Sequence, residues 1–184
     1  MKNCIILTDN SNIFIEGQKL SAEIKGVIKI TESEKDPCDP SWRLDFGCLL
    51  KAAAENQHII GAILVGSRPP QGDSIWEAAK RNGFDVTVHN RNAAGKEKAV
   101  DTEIVIKAVE LILTQSNPGV LKLLSGDGDF LPLIHFANKR GWETEIWTFA
   151  NAFNCQGEMA KSVLKVKLLD TLFSKIGYNG FHWP

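Results

Sequence analysis

Leu123-Leu124-Ser125-Gly126-Asp127-Gly128-Asp129-Phe130-Leu131-Pro132-Leu133-Ile134 is an apolar run that breaks into two acids framed by glycines and then turns apolar again. Val120 to Leu124 has the short, branched, continuous hydrophobicity of a strand covered on both faces. Pro132 suits the first turn of a helix that Phe130 to Lys139 continues, because the N–H it lacks would have no partner there in any case. The stretch predicts a buried strand, a carboxylate loop at its carboxyl end, and a helix. In open parallel α/β sheets that edge is where ligands bind, since the helices covering the faces leave the crevice between the loops unfilled.

The same pattern recurs toward the amino terminus. Cys4 to Thr8 reads as a strand, Asp9-Asn10-Ser11-Asn12 as a polar loop, and Ile13 to Leu20 as the start of a helix, which makes a second acidic strand end. From Glu23 to Trp42 the pattern dissolves into alternating charges and two prolines, an excursion without periodicity. Leu44 to Asn56 is an alanine-rich helix, Ile59 to Val65 a strand, and Gly66 to Pro70 a loop. Ser74 to Asn82 is a helix closed by Gly83, Val86 to His89 a strand, and Asn90 to Lys98 a basic loop. In Asp101 to Gln115 the residues Ile104, Val105, Ala108, Leu111 and Ile112 recur at helical spacing, with Asp101 near the start, where the exposed amides favour a carboxylate.

Beyond the opening stretch, Gly141 stops a helix and Glu143 to Phe149 forms a strand. The tail from Glu158 to Ile176 mixes a helical stretch with a short strand around Val166 to Leu169, and Tyr178 to Pro184 has no readable pattern. Strand-helix alternation predicts an α/β fold of three layers, a central, mainly parallel sheet with helices on both faces. With strand order 3-2-1-4-5, Asp9 and Asp127 become neighbours across the crevice where the order reverses. One domain is expected over residues 1–184, with the excursion at about 23–42 and an embellishment after about 150.

A net charge of -1 excludes the strongly basic surface that would by itself announce a nucleic-acid binder. Cys4, Cys38, Cys48 and Cys155 fall at irregular spacings, and the four histidines add no zinc-like grouping, so reduced thiols are expected. The apolar start is too short for a signal peptide and no apolar run approaches the ~20 residues that span a bilayer, which predicts a cytoplasmic protein with no membrane partner.

Gathering Asp9, Asp101, Asp127 and Asp129 at one edge would crowd like charges, a conflict that a divalent cation resolves. All-oxygen donors suit Mg²⁺ or Mn²⁺, and Mg²⁺ adds substrate phosphate oxygens to a few carboxylates. Such a cation neutralises charge on a phosphoryl oxygen and activates water, the needs of phosphodiester hydrolysis. Each acid alone has a plainer reading, as a turn residue or helix cap; only the ensemble speaks for a site. A calcium loop beginning at Asp127 fails, because Leu131 holds its fifth position and Pro132 its sixth. A phosphatase nucleophile at Asp9 would want an acid where Ser11 stands, and an adhesion-type D-x-S-x-S loop fails at Ile13.

These residues resemble the NYN domains, LabA-like members of the PIN-like nuclease superfamily. The resemblance rests on Leu7-Thr8-Asp9-Asn10-Ser11-Asn12, Lys98-Ala99-Val100-Asp101 and Ser125-Gly126-Asp127-Gly128-Asp129-Phe130, in that order, and spans most of Cys4 to Phe149. The family more often has glycine where this chain has Asn10. The resemblance implies a PIN-like fold and a Mg²⁺- or Mn²⁺-dependent endoribonuclease leaving a 5′-phosphate. Asp9, Asp101 and Asp127 would be the metal-binding carboxylates, Asn12 the first-loop amide and Asp129 an additional acid. RNA, single-stranded or structured, is the expected partner, and a homodimer is left open. Candidate RNA contacts are Lys98, Arg68, Arg91, Ser125 and Lys96, with Phe14 and Trp76 as stacking surfaces. The competing expectation is a catalytically weak or inactive module that binds RNA or regulates a protein partner.

Overall fold

The computed structural model describes residues 1–27, 36–68, 74–90 and 100–180. In chain order, β1 (Asn3–Asp9) leads into α1 (Asn10–Ile24), short β2 (Trp42–Leu44) and α2 (Phe46–Ala54); β3 (His58–Arg68), α3 (Ser74–Arg81) and β4 (Asp85–Asn90) follow. The second half runs α4 (Val100–Thr114), β5 (Val120–Leu124), α5 (Leu131–Lys139), β6 (Glu143–Thr148), α6 (Glu158–Lys161), β7 (Lys165–Leu168), α7 (Phe173–Ile176) and β8 (Gly177–Asn179).

Six strands form one sheet in the order β4-β3-β1-β5-β6-β7, every neighbouring pair parallel. Counted within this sheet, the order is the expected 3-2-1-4-5 with one further strand, β7, at the edge. The weak strand signal near Val166 is that strand. β2 and β8 pair separately and antiparallel.

Strand alternation builds the layers, since successive side chains point to opposite faces. In β1, Cys4 and Ile6 join a core with Ile13 of α1, Leu49 of α2, Trp76 of α3 and Ile176 of α7. Ile5 and Leu7 join the other core, with Ile104 and Ala108 of α4, Ile134 of α5 and Met159 of α6. Gly83 and Gly141, both at positive φ, end their helices as expected. Trp42, Trp142 and Trp147 are all buried packing residues.

Three readings of the sequence change. β3 continues to Arg68, so Gly66 and Ser67 lie in a strand, paired with Val88 and His89, where a loop was expected. α1 continues to Ile24, and its end is tied to the excursion by Asp39, which accepts hydrogen bonds from Ser21 (2.5 Å) and Lys25 (2.6 Å). Trp76 is no stacking surface: it is 3% exposed, lodged where a Cβ on Gly66 would come within 2.5 Å of its ring. The basic loop beyond Asn90 and part of the excursion, residues 28–35, lie outside the described residues.

An ion cluster built on buried Lys122 and Glu145 occupies the face toward α2. Lys122, 0% exposed in central β5, pairs with Glu55 at 2.9 Å and Glu145 at 3.6 Å and lies over the Trp147 ring. Trp147 Nε1 donates to Glu145, and Lys165 and Lys167 also reach Glu55. Burial alone would raise the Glu55 carboxyl, but ammonium hydrogen bonds from Lys167, Lys122 and Lys165 outweigh it and hold it at about 2.

Candidate metal centre

β1 and β5 are neighbours in register, Thr8 opposite Leu124, so the chain leaves both strands at the same edge of the sheet. The order reverses between these strands, which makes this the switch-point crevice. Asp9 and the loop carrying Asp127 therefore meet, as the order 3-2-1-4-5 implies.

Asp9 to Asn12, expected as a loop, is the end of β1 and the first turn of α1, and it is stitched to the β5 loop. Asp9 accepts the Asn12 N–H at 3.2 Å and so caps α1, while its other oxygen accepts the Ser125 hydroxyl at 3.3 Å. Ser125 Oγ in turn accepts the Asp127 N–H at 3.2 Å. Asn12 Oδ1 accepts the Gly126 N–H at 3.0 Å, which fixes the β5 loop to the first turn of α1. Asp127 accepts the Asp129 N–H at 2.9 Å and caps the 3-10 turn Gly128–Phe130. The N–H groups of Asn12, Gly126, Asp127 and Asp129 thus find side-chain partners, and Asp9 and Asp127 are each fixed by a backbone N–H.

Across the crevice stands Asp101, in the first turn of α4. Carboxylate oxygens of Asp101, Asp127 and Asp129 lie within 4.8 Å of one another. Asp101 is half-buried and Asp129 exposed, so the group opens toward solvent. Three oxygen donors of one sign so close fit a hard divalent cation, and the absence of sulfur or imidazole from the set speaks against Zn²⁺.

The other expected residues fall as follows. Asp9 is 6% exposed and reaches this group through Ser125; the gathered carboxylates are those of Asp101, Asp127 and Asp129. Ser125, expected to touch substrate, is 0% exposed with its hydroxyl engaged on both sides, so it holds the loop instead. Arg68 is the last residue of β3. Arg91, Lys96 and Lys98 lie outside the described residues. Asp129, expected at this edge with Asp101, reaches it from the 3-10 turn that Asp127 caps.

The family model described as NYN domain matches residues 7–166. No curated protein matches the sequence significantly. Among solved structures, the crystal structure of a protein of unknown function from Vibrio parahaemolyticus superposes with a TM-score of 0.66 at 16% identity, over 92% of this chain and 93% of that one. At that identity the likeness speaks for the fold. Among the described residues no helix is long and apolar enough to cross a membrane.

Proposed function

Because the chain belongs to the NYN domain family, within the PIN-like nuclease superfamily, we propose that it is a divalent-metal-dependent ribonuclease that hydrolyses RNA phosphodiesters. The observation that carries this reading is the convergence of Asp101, Asp127 and Asp129 at the switch-point edge. Asp101, Asp127 and Asp129 would hold Mg²⁺ or Mn²⁺, which would supply charge neutralisation at a phosphoryl oxygen and a more acidic water. The chain's own residues supply the geometry. Asp101 approaches from α4 while Asp127 and Asp129 come from the β5 loop, and Asn12 keeps that loop against α1. Asp9 braces the loop through Ser125. By sequence position Lys98, Arg68 and Arg91 are the proposed contacts to the RNA backbone.

Cleavage of single-stranded and structured RNA with Mn²⁺ tests this, comparing the wild type with Asp127→Asn and Asp9→Asn. Both variants are expected to lose activity; cleavage that survives both changes removes these residues from the reaction. One observation favours a second reading, a module without turnover: Asp9 and Asp127 each cap a helical turn, which is the plainer role of such acids. That reading predicts RNA or protein binding unaffected by chelator.

A further inference from the structure

The chain past residue 166 lies beyond the family match, yet one of its side chains bonds a turn that packs on the β5 loop. Asp170 sits in the 3-10 turn Leu169–Leu172, anchored by Leu169 at 0% exposure. Its Oδ2 accepts the Ala150 N–H at 2.9 Å. Ala150 opens a second 3-10 turn, Ala150–Ala152, and Phe149 before it offers no side-chain cap, so Asp170 supplies that cap from 20 residues away.

This second turn lies directly against the metal loop. A Cβ on Gly126 would stand 2.4 Å from the Ala152 carbonyl oxygen and 2.8 Å from Thr148 Oγ1. On its other side Gly126 donates its N–H to Asn12. Gly126 is therefore held between α1 and the Ala150–Ala152 turn, and the next residue is Asp127.

We propose that Asp170 is a positioning residue for the metal centre, acting through the Ala150–Ala152 turn on Gly126 and so on the Asp127 carboxylate; this rests on the nuclease reading above. A carboxylate-to-amide hydrogen bond is charge-assisted and among the stronger ones. Without it the turn can drift from Gly126, and coordination by three carboxylates tolerates only small displacements. Groups behind the ligands commonly change metal affinity by about tenfold or more when removed.

The test is Mn²⁺ titration by calorimetry on the full chain, with steady-state RNA cleavage alongside, for the wild type, Asp170→Ala, Asp170→Asn and Ala150→Pro. Asp170→Ala is expected to weaken Mn²⁺ binding about tenfold and to lower kcat with the KM for RNA unchanged. Asp170→Asn keeps an oxygen that accepts the Ala150 N–H and should recover most of the loss. Ala150→Pro removes the donor while suiting a first helical position after extended Phe149, and should reproduce Asp170→Ala even if that variant fails to fold. Binding within twofold of wild type in both Asp170→Ala and Ala150→Pro overturns the proposal. So does a rise in KM alone, or an Asp170→Asn no better than Asp170→Ala. A wild type that binds no Mn²⁺ is a different failure, since it removes the nuclease reading and this proposal with it.

Discussion

Two charge clusters share the central strand β5 and its loop, and they are built on opposite plans. Around Lys122 the signs alternate: a fully buried ammonium meets Glu55 and Glu145, and two further lysines close on Glu55. At the carboxyl edge three aspartates of one sign are brought within 4.8 Å. The first arrangement satisfies itself and needs nothing from outside, because each buried charge has its counter-charge. The second has no counter-charge of its own within the group, and Asp127 is fixed in it by the Asp129 N–H; such a set of oxygens is what the proposed cation would neutralise.

The largest effect that separates the two is on turnover. Asp101→Asn should lower RNA cleavage roughly 10²- to 10³-fold, the value of several kcal/mol of transition-state charge stabilisation. Cleavage at wild-type rate in this variant would break the comparison. Next comes the reverse case. Lys122→Met should cost about 3 kcal/mol by leaving buried Glu145 without its cation, a melting temperature lower by roughly 6–12 °C, with Mn²⁺ affinity unaltered by calorimetry.

The sequence carried unequal amounts of these two regions. Alternation and crossover handedness predict the parallel sheet, while the meeting of Asp9 with the Asp127 loop was conditional on the order 3-2-1-4-5, which those rules allow without requiring. The run Val120 to Leu124 reads as a uniformly covered strand, and that reading hid Lys122, whose partners Glu55 and Glu145 lie 67 and 23 residues away. A lysine inside a buried strand was the signal, though nothing nearby named its counter-ion. Gly66-Ser67-Arg68 looked like a loop because two prolines follow, but pairing with β4 carries β3 to Arg68. Trp76 looked available for stacking until Gly66 was seen to make room for its ring. Ser125 looked like a substrate contact because it sits beside Asp127; only tertiary packing turns its hydroxyl toward Asp9.

Smaller effects sharpen the contrast. Glu55 has its folded-state pKa lowered from 4.5 to about 2, so its pairing contributes fully above pH 4.5 and is lost as pH falls from there toward 2. Glu55→Gln should cost about 2 kcal/mol at neutral pH, as hydrogen bonds to charged groups do, and should flatten that part of the acid-unfolding curve followed by circular dichroism. A curve as steep as wild type would show that Glu55 is not the group responsible. The smallest effect belongs to Asp129→Asn without metal: relief of like-charge crowding should raise the melting temperature slightly at low salt and not at high salt. A fall at both would mark Asp129 as a structural acid.

The central claim is that Asp101, Asp127 and Asp129 hold one hard divalent cation between them. Anomalous diffraction from crystals soaked in Mn²⁺ tests it without relying on any activity. The account predicts a peak in the crevice between β1 and β5, coordinated by carboxylate oxygens of those three residues. Soaked crystals with no peak there, or with manganese bound only elsewhere on the surface, would contradict it.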